Sequence, residues 1–170
     1  MAPRSTWIAL LSVVLVVMGL SVDANAQSPW RVDKAATAGP LAQTGLSPAN
    51  GRTRTVFVSF EYARKCDPVF SIIEWTGARL GTPIRRELLR NSKIGLYFNG
   101  QFHTSHAGLI TYDNGYEAGF SISNDLLLGL LINLNSMSFV TPTGERIPLP
   151  LTGFRDALHT AMDICRSRAL

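Results

Sequence analysis

The 170-residue chain holds only two cysteines and only 16% charged residues, and each scarcity excludes something. With 14 glycines it is too glycine-poor for a collagen triple helix, and it has no apolar heptads to wind a coiled coil. An apolar share of 46% with so little charge is also wrong for a wholly disordered chain. There is no Gly-x-Ser-x-Gly nucleophile elbow, no Cys-x-x-Cys and no glycine-rich phosphate loop ahead of a helix. Missing motifs do not disprove catalysis, but nothing here argues for it or implies a cofactor. What remains is one globular domain with enough apolar material for an ordinary core.

The N-terminus reads as an address. A short basic start with Arg4 leads into an uncharged apolar run from Trp7 to Val22, followed by Ala24-Asn25-Ala26, a small-x-small cleavage site. The run is about 16 residues, short of the roughly 20 that span hydrocarbon, which favours a cleaved secretory signal over residues 1–26 rather than an uncleaved anchor. No cysteine lies near the cut, so lipid attachment there is excluded. The expected mature chain starts at Gln27 and is periplasmic or secreted, and no other stretch is apolar enough to span a membrane.

A sequence pI of 9.4 raises the question of nucleic acid. From Thr55 onward, however, eleven basic side chains face ten acidic ones, so the folded part lacks the broad positive surface that phosphate binding needs. One local surplus stands out: Arg79, Arg85, Arg86, Arg90 and Lys93, with only Glu87 among them. It suits contact with anionic lipid, lipopolysaccharide or an acidic partner. A solvated strand or helix face accounts for the same residues.

Residues 27–54, rich in Ala, Gly, Pro, Ser and Thr, show no clear period and read as a flexible leader before a single β-rich domain over 55–170. Alternation from Thr55 predicts a first strand, and Val69 to Trp75 a more buried second one. Thr82 to Arg90 fits a short helix or a strand. Turns are expected at Asn99-Gly100, Asp113-Asn114-Gly115 and Thr141-Pro142-Thr143-Gly144, which makes the middle of the chain an antiparallel meander. Pro148 and Pro150 restrict their strand to an edge. Two helices interrupt the strands. One, Leu-rich, spans about Asn124 to Leu134 behind the Ser123 N-cap and should be buried on nearly every side. The other follows Gly153 and places Phe154, Ala157, Leu158, Ala161, Ile164 and Cys165 on one stripe, as a cap over a sheet. The fold class is therefore mainly β, an antiparallel sandwich or meander with two helices.

Cys66 and Cys165 are an even, minimal pair in a chain marked for export, so a disulfide is the expected state, with reactive thiols the competing reading. His103 and His106 are the only clustered histidines, with Asp113 and Glu117 near enough in sequence to help hold zinc if the segment turns. A carboxylate pair for glycoside hydrolysis can be drawn from Glu61, Glu74, Asp113 and Glu117, as it can from most sets of twelve acids. Tyr62, Trp75, Tyr97, Phe98, Phe102, Tyr112, Tyr116 and Phe120 concentrate around the hairpins, where alternation turns some outward as a partner surface.

The Leu-rich helix, then Met137-Ser138-Phe139-Val140, a Thr-Gly-Glu turn, Ile147-Pro148-Leu149-Pro150-Leu151 and Gly153-Phe154-Arg155-Asp156-Ala157-Leu158, resembles the ending of the invasion-associated locus B proteins, exported Gram-negative proteins with a small β-rich domain. An early cysteine, Leu80-Gly81 before a strand and a helix ending in Cys165 are similar to small exported proteins that accompany type VI secretion. The resemblance lends no catalytic residues. It implies a periplasmic or envelope-associated accessory protein linked to host interaction. The expectation is thus a non-enzymatic binding protein meeting a protein, glycan or lipid surface; the alternative is a small exported metal-dependent hydrolase using His103 and His106.

Overall fold

The computed structural model describes residues 30–34, 39–62, 65–90 and 92–168. The signal segment and its cut after Ala26 lie outside them. Among the described residues eleven strands and two helices follow in order: β1 (Arg31–Asp33), β2 (Leu41–Ala49), β3 (Arg52–Phe60), β4 (Pro68–Thr76), β5 (Pro83–Leu89), β6 (Gly95–Phe98), β7 (Gln101–His103), β8 (Ala107–Tyr112), β9 (Gly115–Ser121), α1 (Asn124–Leu131), β10 (Met137–Val140), β11 (Arg146–Pro148) and α2 (Phe154–Arg168). They make a seven-stranded sheet, β1-β2-β3-β4-β9-β8-β5, and a four-stranded sheet, β11-β10-β6-β7. Every pairing is antiparallel.

Alternation assigns the faces. Ala42, Thr44, Val56, Val58, Phe70, Ile72, Ala118, Phe120 and Ala107 point inward and are buried. Over one half of this inner face lies the small sheet: Phe98 of β6 meets Phe70 edge-on with ring centroids 6.1 Å apart, and Phe139 of β10 meets Phe120 at 6.2 Å. Over the other half lies α2, packed on β1, β2 and β3. Its stripe follows the period of 3.6, with Phe154, Ala157, Leu158, Ala161 and Cys165 buried and joined by Met162, while Ile164, expected on the same stripe, is only part-buried.

Cys66 and Cys165 are bonded, their Cα atoms 5.9 Å apart. The bridge fastens the end of α2 to the turn after β3, where Lys65 and Cys66 both take positive φ. Asn99 (φ 49°) and Gly100 (φ 84°) form the expected tight hairpin between β6 and β7. The Asn99 carboxamide oxygen also accepts from Asn135 N–H (2.7 Å) and Ser136 N–H (3.0 Å), tying that turn to the entry of β10. β8 turns into β9 and β10 into β11 at the other two predicted places, and β11 is a sheet edge, as Pro148 requires.

Two expectations need correction, and one open reading is resolved. The stretch read as a flexible leader holds β1, β2 and the start of β3, so the first long hairpin begins at Leu41 rather than at Thr55. Its alternation is carried by small side chains, Ala42 and Thr44, both fully buried, which hide the pattern from hydropathy. Trp30 anchors the same stretch: its indole N–H donates to the Pro150 carbonyl at 2.7 Å and its ring lies 4.7 Å from that of Phe154. The Leu-rich helix is shorter than predicted and one-sided. Ser123 caps it, accepting from Leu126 N–H, but only Leu127 and Leu131 are buried, while Leu126 and Ile132 are 41% and 72% exposed. Finally, the ambiguous stretch after Thr82 is a strand, β5, where Pro83 can stand because it opens an edge strand.

Candidate functional site: the outer face of the large sheet and its β5 edge

Neither the small sheet nor α2 covers the outer face of the seven-stranded sheet, which carries Phe57, Val69, Ile73, Trp75, Ile110 and Tyr112, all part-exposed. Register explains a depression in it. Gly108 of β8 pairs with Gly119 of β9, which pairs with Ser71 of β4, so three small residues cross three strands in one row. A side chain at 119 would run into Ser71, its Cβ only 2.2 Å from the hydroxyl oxygen, whereas one at 108 would point into open space. The result is a groove of about 260 Å³ with that row as its floor, Val69, Ile110, Glu117 and Ser121 beside it, and His106 and Leu88 at the β5 end.

Glu117 is the charged group in the groove. The Tyr112 hydroxyl donates to its Oε2 at 3.3 Å. Burial raises the carboxyl pKa above the ordinary value, and the Tyr112 bond and the Arg86 charge offset part of that rise. The Tyr112 phenol is raised too, by burial first and then by the Glu117 charge. A folded-state carboxyl pKa above the unfolded one means that Glu117 costs nothing while protonated and weakens the fold as pH climbs through its native pKa. Glu117→Gln should therefore match the wild type in urea denaturation at about pH 4 and be more stable at about pH 7. Equal stability at both values would contradict the burial of this carboxylate.

Beside the groove runs β5. Ile84 is the extra residue of a bulge against β8, and the ladder is regular from Arg85 to Leu89. Arg86 and Leu88 share the outer face, opposite Ile110 and Gly108, while Arg85, Glu87 and Leu89 take the other side. Because Gly108 offers Leu88 no side chain to lean on, Leu88 stands 66% exposed, and Ile84 is 69% exposed. Past the end of β5, Leu88, Leu89, Arg90, Ser92, Lys93, Ile94 and Pro142 enclose an open hollow of about 540 Å³.

The five basic residues singled out from the sequence thus follow one edge instead of forming one patch. Arg79 lies in the β4–β5 loop, whose carbonyls at Thr76 and Arg79 accept from the Asn114 amide at 2.6 and 2.9 Å. Arg85 pairs with Glu87 at 3.0 Å. Arg86, Arg90 and Lys93 make no salt bridge to a described residue.

Of the proposed metal ligands, His106 and Glu117 line the same groove, but His103 and Asp113 do not join them. His103 belongs to the small sheet, its ring 5.7 Å from that of Phe98 and its Nε2 buried without a partner, whereas His106 leads into β8 of the large sheet. Asp113 is at the opposite end of the β8–β9 hairpin from His106, roughly 20 Å away at the rise of a six-residue strand, and it accepts from Thr82 N–H at 3.2 Å. No group of three or more metal-ligating side chains occurs among the described residues. Of the four carboxylates considered for hydrolysis, Glu74 faces the interior and Glu117 the outer groove, on opposite sides of the sheet. Among the aromatics, Phe98 and Phe120 are core. Phe102 is 41% exposed and packs on Tyr97 (5.0 Å), over which Arg146 stacks at 3.9 Å.

Sequence reasoning missed the exposure of Ile84 and Leu88, although Arg86-x-Leu88 in a strand turns both of those side chains to one face. It also missed the interior ion network at the far end of the sheet. There Arg54, 7% exposed, bonds Glu74, 3% exposed, and its two Nη atoms reach Glu145 of the β10–β11 turn at 2.9 and 2.6 Å. Desolvation alone lowers the Arg54 pKa; the bonds to Glu145 and Glu74 outweigh it and the net shift is upward. Beside this network, burial and the Glu74 charge push the Tyr116 phenol up to about 12.

No protein-family model, curated protein or solved structure matches this chain. Among the described residues no helix is long and apolar enough to cross a membrane. That and the disulfide are compatible with a periplasmic or extracellular protein.

Proposed function

We propose that the chain is an exported, non-catalytic binding protein of the bacterial envelope whose partner sits on the outer face of the large sheet, next to the basic β5 edge. The observation that carries this reading is the uncovered, part-apolar outer face, grooved by Gly108 and Gly119 and rimmed by Leu88. Sheet faces left to solvent normally alternate to polar residues, and contiguous apolar surface marks contact sites. Support for export comes from the N-terminal charge, apolar run and Ala24-Asn25-Ala26, together with the structural disulfide. The metal-dependent hydrolase gains no support: His103 ends β7 of the small sheet, His106 lies in the connection to β8, and no third ligand joins them among the described residues.

The test uses a photo-crosslinking amino acid placed at Ile84 or Leu88 and, for comparison, at Phe102 or Ile132, all exposed. In intact cells the first two positions should capture envelope material and the second two should not. Equal labelling at all four, or a silent outer face, would sink the reading, as would a full-length chain held reduced in the cytoplasm.

A further inference from the structure

The two sheets end in four edges among the described residues, and they are not alike. β1, β7 and β11 are three residues each, and β11 closes on Pro148, which has no N–H to offer. β5 is seven residues, paired only with β8, and its ladder is regular over Arg85–Leu89. On such a strand every second residue turns its N–H and C=O away from the sheet. Natural proteins blunt long edges with charge or a bulge, and β5 has both. It also has what an edge built only for defence lacks: Leu88, in the regular part of the ladder, is 66% exposed beside a groove.

We infer that β5 is a docking edge to which an extended acidic segment of a partner protein adds as a further strand of the large sheet. This rests on the reading of the outer face as the binding surface and names its occupant. Main-chain hydrogen bonds to β5 provide the attachment, and alternate side chains of the incoming strand meet the outer face beside Arg86 and Leu88. Arg86, Arg90 and Lys93, free of salt bridges to described residues, set the preferred charge as acidic. A second copy is the wrong occupant, since pairing β5 with itself sets one surplus of cations against another. A lipid headgroup satisfies the cations but has no use for the open backbone edge.

The test probe is a synthetic ten-residue peptide alternating glutamate and valine, added to the purified, oxidised protein. At saturation it should slow hydrogen exchange of the outward amides of Arg85–Leu89. Methylating alternate peptide nitrogens in the register that faces β5, replacing glutamate by lysine, or using the Arg86→Glu protein should each weaken binding by about tenfold or more. Raising the salt concentration should weaken it further. Binding indifferent to N-methylation, unchanged exchange along β5, protection that grows with protein concentration alone, or an equal response to phosphatidylglycerol vesicles would each overturn strand addition. Cellular crosslinks at Ile84 and Leu88 combined with no peptide effect would refute the strand while leaving the binding surface in place.

Discussion

Replacing Cys66 and Cys165 together by alanine is expected to lower the melting temperature by roughly 10–20 °C. The bridge joins residues 99 apart in sequence. For a loop of that size the chain-entropy account gives about 4–5 kcal/mol, drawn from restricting the unfolded chain. A domain of this length loses roughly 2–4 °C for each kcal/mol. Both cysteines are buried, at 1% and 0% exposure, so alanine is the fair replacement and leaves no unpaired hydroxyl in the interior. The denaturant slope should rise in the variant, because an unlinked chain exposes more surface on unfolding. Treating the wild type with reductant should move its melting curve toward that of the variant. A shift of less than about 2 °C would mean that the contacts of α2 on β1–β3 hold the fold without the bridge.

Arg54→Met should cost about 3–5 kcal/mol, the penalty for leaving a buried partner charge unmatched. Its guanidinium binds Glu74 within the sheet and Glu145 in the turn of the other sheet, so one side chain joins the two layers. In the variant Glu74 keeps only Arg52, whose Nη1 lies 2.6 Å away but whose side chain is 51% exposed. Arg52→Ala, by contrast, should change stability by less than about 1 kcal/mol. Arg54→Met combined with Glu74→Leu should recover much of the loss, since two apolar groups in that place leave no stranded charge. Urea denaturation of the wild type, Arg54→Met, Glu74→Leu and the double variant reads the cycle directly. Additive losses would show that Arg54 and Glu74 act independently and that the network is not the tie between sheets.

The sequence displayed its strands best where large side chains alternate, as in Val56-x-Val58-x-Phe60, and where Asn99-Gly100 announced a turn. Asn50-Gly51 is the same dipeptide, with φ of 53° and 72°, and it closes the β2–β3 hairpin. It went unread because the inward positions of β2 begin with the small residues Ala42 and Thr44, which is what a strand needs beneath a closely packed helix. The Leu-rich helix misled for the opposite reason. Apolar composition around the whole circumference describes a buried helix only when something covers every side, and α1 has cover on one side only. Long-range pairs such as Arg54 with Glu145, 91 residues apart, leave no local trace. At the candidate site the basic run was visible from spacing alone. That it lies along an edge, with Leu88 unshielded because Gly108 stands opposite, depends on strand order, which no window of sequence contains.

A β5 that accepts a partner strand must be an open edge in the free protein, and native-state hydrogen exchange tests that most directly. Amides of β4 and β9, paired on both sides, should exchange only through global unfolding, and the outward-facing amides of Arg85–Leu89 should exchange orders of magnitude faster at every protein concentration. If the β5 amides were instead as protected as those of β4 in the isolated monomer, the edge would already be covered, and the binding surface proposed here would not exist.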